Sequence, residues 1–180
     1  MSFLAISGLV NFLTCSILGL FVLLKNFRNI RNISYFILNS SVAIYSFGYF
    51  SWQLAKNDLV ALAWFRIAVL GIILINISYL FFVFVFVDIF EKRKRLLWVY
   101  FFINLVFIGL NFSGHLYTKL IPKYNLGLWP VPTFFFHIYL IFWFWQCLYG
   151  FCWLLKALKS FTGIKREQIK YFTISAVIGF

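Results

Sequence analysis

The chain has 180 residues, of which 64% are hydrophobic, 24% are aromatic and only 11% are charged. A soluble domain of this size leaves about a third of its unfolded-chain surface exposed, so it could not hide that much apolar side chain. The net charge is +12, but the basic residues stand in short clusters between apolar runs. This pattern argues against a nucleic-acid-binding face and indicates a membrane protein.

Five apolar runs follow one another along the chain, and a sixth run of about ten residues comes last. About 20 helical residues are needed to span a bilayer, so the sixth run covers about half of that length. The sequence predicts an all-α polytopic transmembrane helical bundle with five full helices and a truncated sixth, as in a fragment of a longer protein. We expect one membrane-embedded, sensor-like domain over residues 1–180. The predicted helices are 3–24, 33–55, 59–87, 96–112, 132–155 and 171–180.

Basic residues alternate between the loops. The loops after the first, third and fifth predicted helices hold twelve Lys and Arg residues, whereas the other loops hold three. Because Lys- and Arg-rich loops stay in the cytoplasm, we predict a multi-pass protein of the cell membrane with its N-terminus outside. The residues predicted to set topology and to contact anionic lipid are Lys92, Arg93, Lys94, Arg95, Lys165 and Arg166. Asp88 and Glu91 are expected to form local, solvated pairs with the first of these clusters.

Arg66 is the single cation inside a predicted helix, about seven residues from the start of the third. A charge at that depth needs a partner, water or a path to the surface. Three roles are open: the side chain reaches back to the outer headgroups, pairs with a structural acceptor, or contacts an anionic ligand.

Polar residues within apolar runs need partners on neighbouring helices, because lipid offers none. Asn76 lies near the middle of the third predicted helix and is the best candidate for the interior, in helix packing or in a small pocket. His137 is expected to make an interhelical hydrogen bond. Arg66, Asn76 and His137 form the predicted ligand-binding set.

The aromatic residues are expected to pack against other helices or to face lipid. Trp52, Trp64 and Trp129 are predicted in the outer interfacial belt.

The two histidines, His115 and His137, lack the neighbouring ligands that a metal site needs, so no metal and no cofactor is predicted. Catalytic patterns such as GxSxG and HExxH do not occur, and no enzymatic activity is predicted for this chain.

Three stretches carry a resemblance to a known family. The second helix ends in YSFGY at residues 45–49 and WQLA at 52–55, the third opens with AWFRI at 63–67 before Gly71, and residues 163–171 read GIKREQIKY. Over about residues 13–180 the chain resembles the N-terminal seven-transmembrane region of bacterial sensor histidine kinases. The proline that this family often has in the third helix is replaced by Leu-Ile-Asn at residues 74–76.

The resemblance implies a sensory input module of a two-component system, which relays a signal to a cytoplasmic output domain. It implies membrane lipids, an unknown small-molecule or membrane stimulus and a homodimer formed through the output domain as partners, and no nucleic acid. A full-length parent would be a histidine kinase. Two alternatives stay open: a small transporter or channel subunit, and a lipid-active enzyme, which would need clustered His, Asp or Glu residues.

Overall fold

The computed structural model describes residues 3–122 and 128–179, which form six helices and a β-hairpin. The elements are α1 Phe3–Lys25, α2 Ile30–Leu54, α3 Asp58–Phe86, α4 Phe90–Phe112, β1 Tyr117–Pro122, β2 Leu128–Pro132, α5 Phe134–Ser160 and α6 Gly163–Gly179. The predicted all-α polytopic bundle is confirmed, with a two-stranded hairpin added to it.

Within the described residues, four helices are long and apolar enough to cross a membrane, namely α1, α3, α4 and α5. The 25-residue α2 also has the length, but it carries several polar residues. Three of them, Ser34, Ser41 and Ser46, are buried in the protein. Because buried serines hydrogen-bond within the bundle, they lower the hydropathy of α2 without exposing polar groups to lipid.

Helix α3 is the core of the bundle. Fourteen of its 29 residues are buried, against three of 23 in α1. It packs against α2, α4 and α5, while α1 lies on α2 and α6 lies on α5. This arrangement follows from the composition of α3, which is apolar all round, since such a helix can be covered on every side.

Two asparagines set the starts of α2 and α3. The side chain of Asn29 accepts a hydrogen bond from Arg31 N, and that of Asn57 accepts one from Val60 N, both at 2.9 Å. Asparagine is among the best residues at this position, because its side-chain oxygen satisfies backbone N–H groups that the first turn leaves without partners.

Helices α4 and α6 begin earlier than predicted, at Phe90 instead of 96 and at Gly163 instead of 171. Lys, Arg, Glu and Gln are good helix formers, so the backbone stays helical beyond the apolar run. Lys92, Arg93, Lys94, Arg95, Lys165 and Arg166, which were predicted in loops, therefore lie near the starts of α4 and α6. The predicted loop 113–131 also differs, because most of its described part pairs as the hairpin, with Ile121 opposite Trp129. Residues 123–127 of that loop, including Lys123, lie outside the described part of the chain.

Basic residues cluster around three connections, α1 to α2, α3 to α4 and α5 to α6. These connections meet at one end of the bundle, called here the basic end. Arg31 Nη2 lies 2.9 Å from Asp88 Oδ1, and Lys165 Nζ contacts Asp88 Oδ2. The opposite end carries the hairpin and is called the hairpin end. The three clusters thus share one end, as the alternation of loop charges predicts.

Candidate functional site: an aromatic cleft above a buried polar cluster

Asn76 lies in the interior, as predicted, and has no exposed surface. Its Nδ2 donates to Gln146 Oε1 at 3.0 Å, and Gln146 Nε2 donates to the backbone carbonyl of Asn76 at 3.1 Å. Asn104 Nδ2 donates to the same Gln146 Oε1 at 3.2 Å and to the Tyr100 carbonyl at 2.8 Å. These contacts form a polar cluster that joins α3, α4 and α5 inside the bundle.

Cys147 adds a weaker contact to the polar cluster, with its Sγ 3.5 Å from Asn76 Oδ1. Gln146 is fully buried, and Cys147 is 9% exposed. In a low-dielectric interior such linked hydrogen bonds reinforce one another, and loss of one partner leaves another group unsatisfied. The polar cluster therefore fixes the register of α5 against α3.

Arg66 is half-buried near the hairpin end, with no ion pair among the described residues. Its carbonyl accepts a hydrogen bond from Asn111 Nδ2 at 2.9 Å, which ties α4 to α3. Its guanidinium approaches the turn after α4, where a Cβ on Gly114 would lie 3.2 Å from Nη2. The guanidinium therefore lies at the hairpin end of the bundle, and the three roles of Arg66 remain predictions.

His137 is exposed on α5, and its Nδ1 lies 2.8 Å from the Thr133 carbonyl of the same helix. The expected interhelical hydrogen bond is therefore wrong, because four-residue spacing lets the imidazole bond within its own helix turn. The structure does not bring Arg66, Asn76 and His137 together: only Asn76 belongs to the polar cluster. Their contact with a ligand remains a prediction.

A cleft of about 250 Å³ opens at the hairpin end between α2, α3, the hairpin and the start of α5. A second cavity, of about 160 Å³, lies deeper along α5. Val69, Ile72, Tyr117 and Phe136 line both, so the two form one aromatic cleft. The remaining lining residues are Tyr45, Tyr49, Trp52, Phe65, Ala68, Trp129, Pro130, Pro132, Tyr139, Leu140 and Trp143.

Edge-on aromatic contacts build the walls of this aromatic cleft. The ring centroids of Trp52 and Phe65 are 4.9 Å apart, and those of Phe65 and Tyr117 are 4.8 Å apart. Trp52 also contacts Trp129 at 5.9 Å and is only 5% exposed. The prediction that Trp52 belongs to the lipid interface is therefore wrong: the hairpin covers its ring. Edge-to-face packing holds rings in fixed orientations and gives the cleft a defined shape.

No charged side chain lines the described part of the aromatic cleft. Its polar side-chain groups are phenol hydroxyls and indole N–H groups. Burial raises the pKa of Tyr117, so this side chain stays neutral and can donate a hydrogen bond. The Tyr139 hydroxyl is buried and has no hydrogen-bond partner among the described residues. Such a cleft suits an apolar or aromatic ligand with few polar atoms.

The predicted topology residues lie at the basic end. Glu91 pairs with Lys94 at 2.8 Å, as expected of a local pair, and Arg93 stacks over the Trp153 ring at 5.3 Å. Asp88 departs from the prediction, because it pairs with Arg31 on α2 and Lys165 on α6 instead of with its neighbours. Partial burial acts to raise the pKa of Asp88, but the hydrogen bonds and charges of Lys165 and Arg31 outweigh it and lower that pKa.

Residues at the basic end and the polar groups of the bundle offer no metal site: within residues 3–122 and 128–179, no three His, Cys, Asp or Glu side chains cluster. Comparison with curated proteins and with solved structures gave no match. The sequence model of the family described as the N-terminal 7TM region of histidine kinase matches residues 8–180. With nearly its whole length matched, the chain belongs to that family of histidine kinase input regions.

Proposed function

We propose that this chain is the sensory input module of a bacterial histidine-kinase-type signalling protein, and that the aromatic cleft binds the stimulus. The observation that carries the proposal is the position of the cleft above the polar cluster on the same two helices. Tyr139 in the cleft precedes Gln146 by seven residues, or about 10 Å along α5. Both side chains are buried on the face of α5 that is covered by the bundle.

A ligand in the aromatic cleft would act by stabilising one packing of α5 against α3. The polar cluster has a discrete set of hydrogen bonds, so a shift of α5 breaks them together. Such coupling requires that the ligand bind the two packings with different affinity. Helix α5 leads directly to α6 at the basic end, and the shift reaches an output domain through the helices that follow.

In this proposal the basic end faces the cytoplasm and the N-terminus lies outside, as the charge distribution favours. The aromatic cleft then opens to the outside, where a sensor meets its stimulus. Catalysis belongs to the output domain, which also forms the homodimer. The alternative of a small transporter or channel subunit is less favoured, because α3 is packed with buried apolar side chains between the polar cluster and the basic end, including Leu80, Val83 and Phe84.

The test joins the chain to the seventh helix and kinase domain of a characterised member of the same family, and reads phosphotransfer with a transcriptional reporter. Ile72→Trp fills the aromatic cleft, whereas Val106→Trp places the same bulk on the lipid-facing side of α4, where Val106 is 62% exposed. Across apolar extracts of culture medium, we expect Val106→Trp to respond like the parent and Ile72→Trp to stay at one level. Equal responses of the two variants would remove the cleft from the proposal.

A further inference from the structure

Another cavity, of about 450 Å³, lies on the side of the bundle, between α2, α3 and α4 and toward the basic end. It is called here the lateral groove. Its walls are apolar side chains such as Ile37, Leu74, Phe81 and Phe101, and Lys94 stands among its lining residues. The lateral groove shares no lining residue with the aromatic cleft.

The two serine hydroxyls on the floor of the lateral groove, those of Ser41 and Ser78, already donate hydrogen bonds within the bundle. Ser78 Oγ donates to the Leu74 carbonyl at 2.6 Å and lies 3.2 Å from Ser41 Oγ. Ser41 Oγ donates to the Ile37 carbonyl at 2.9 Å. Because these serines are satisfied within the bundle, the lateral groove presents an apolar surface to its occupant. An acyl chain matches this chemistry better than a polar ligand does.

The length of the lateral groove along α4 is less than the thickness of one leaflet. Lys94 and Phe101 are seven residues apart on α4, which is about 10 Å along the helix axis, against about 15 Å for half of the hydrocarbon core. Lys94 lies in the first turns of α4, at the level expected for headgroups, and its side chain is 55% exposed.

The charge around Lys94 favours an anionic headgroup. Lys92, Arg93, Lys94 and Arg95 are consecutive and all exposed, and Glu91 is the one acid in that helix turn. Each basic residue near a membrane surface strengthens binding of anionic lipid by about 1 kcal/mol, or about fivefold. The single carboxylate of Glu91, paired with Lys94, leaves three positive charges in excess.

From these observations we infer that the lateral groove is a binding site for an anionic phospholipid, with one acyl chain along α2, α3 and α4 and the phosphate at Lys94. The site would make the input module sensitive to the anionic lipid content of its own leaflet. It is independent of a ligand in the aromatic cleft.

The experiment is native mass spectrometry of the full chain, titrated with dioleoyl-phosphatidylglycerol or dioleoyl-phosphatidylcholine. We expect the phosphatidylglycerol adduct to form at lower concentration, and Lys94→Ala to weaken it about fivefold. Lys92→Ala is the matched control, because it removes the same charge from a residue outside the lateral groove, and we expect it to weaken the adduct less than Lys94→Ala does. Lys94→Gln serves as a second variant at the same position.

A second pair of variants tests the acyl chain. Ile37→Trp fills the lateral groove and should abolish the adduct, whereas Val99→Trp, at an exposed position of α4 outside it, should not. Glycerol phosphate alone should leave the spectrum unchanged. Equal loss in Lys92→Ala and Lys94→Ala, equal binding of the two lipids, or tight binding of glycerol phosphate alone would each overturn the inference. So would a dimer that Ile37→Trp dissociates, since the lateral groove would then cover a second copy.

Discussion

Asp88 connects three parts of the basic end through one carboxylate. It occupies the turn between α3 and α4 with φ of 59°, and it accepts contacts from Arg31 and Lys165. Asparagine tolerates this left-handed conformation as well as aspartate does, so Asp88→Asn removes the charge without new backbone strain. We expect the variant to be less stable by at most about 1 kcal/mol at neutral pH, since the side chain is 47% exposed and such pairs are screened.

The pH dependence of this difference follows from the lowered pKa of Asp88. A carboxyl with a lower pKa in the folded state adds stability above its unfolded pKa of about 3.9, and that stability is lost as pH falls through the folded value. The unfolding curves of the parent and Asp88→Asn in detergent should therefore differ at pH 7 and converge below about pH 4. A constant difference at all pH values would contradict the ion-pair account.

The polar cluster should show measurable coupling between Asn76 and Gln146. Interhelical hydrogen bonds in membranes contribute about 0.6 kcal/mol on average and up to about 1.7 kcal/mol. The side-chain hydrogen bond from Asn76 Nδ2 to Gln146 Oε1 is lost in either single variant, whereas Gln146 Nε2 donates to the Asn76 backbone carbonyl, which Asn76→Ala keeps. A double-mutant cycle with Asn76→Ala and Gln146→Ala should therefore give a coupling energy of about 0.6 kcal/mol. The unfolding free energy in mixed micelles is the measurement.

The control cycle pairs Gln146→Ala with Asn39→Ala, because the Asn39 side chain bonds locally to the Tyr35 carbonyl on α2. Independent sites add, so its coupling should be near zero. Similar coupling in both cycles would mean that Gln146→Ala loosens the whole bundle instead of breaking one contact.

Sequence reasoning located one residue of the candidate site and missed most of the others. Asn76 could be found because an amide has no partner in lipid. The cleft residues Trp52, Phe65, Tyr117 and Tyr139 could not be singled out, because 24% of the chain is aromatic and composition gives no contrast among rings. His137 misled because a histidine in an apolar run can also bond within its own helix, as it does here.

At the scale of elements, two glycines allow α2 and α3 to pack closely. A Cβ on Gly71 would lie 2.3 Å from Tyr45 N, and one on Gly48 would lie 2.6 Å from Ala68 N. Because backbone atoms cannot move aside cheaply, Gly71→Ala should force the helices apart and destabilise the fold by about 1–3 kcal/mol. Thermal unfolding in detergent measures the effect.

Gly109 on α4 is the matched control, since a Cβ there meets nothing within 4 Å. Alanine forms helix better than glycine by up to about 1 kcal/mol, so Gly109→Ala should be neutral or stabilising. If both variants lose stability alike, the cause is the loss of glycine in a membrane helix and not the contact between α2 and α3.

Element boundaries were predictable where apolar runs and helices coincide. Helix α3 was placed to within one residue at each end, because Asn57 caps it where the apolar run begins. The early starts of α4 and α6 were missed, since hydropathy reports where the bilayer begins and not where the backbone becomes helical. The hairpin was missed because its strands are short and rich in proline, which argues against a strand when read alone.

For the whole molecule, the bundle has chemically distinct ends. The basic end carries Asp88 and the clusters around it, and the hairpin end carries the aromatic cleft. The packed core of α3 connects the two, and the lateral groove lies on its flank toward the basic end. In the proposed function, a signal that enters at the hairpin end would reach the basic end through helix packing, which both a cleft ligand and a bound lipid would bias.

The proposed orientation of these ends can be measured on intact cells. In a background with Cys15, Cys147 and Cys152 replaced by alanine, Lys119→Cys places a thiol on the exposed hairpin and Arg95→Cys places one on the exposed start of α4. In the proposed orientation the basic clusters face the cytoplasm, because Lys- and Arg-rich loops are retained there. A membrane-impermeant maleimide should then label Lys119→Cys in intact cells and Arg95→Cys only after permeabilisation.

The opposite pattern would invert the bundle and place the aromatic cleft on the cytoplasmic side, where it could not meet an external stimulus. Labelling of both variants in intact cells would mean that the chain inserts in two orientations, and the charge difference between its ends would then be too weak to set its topology.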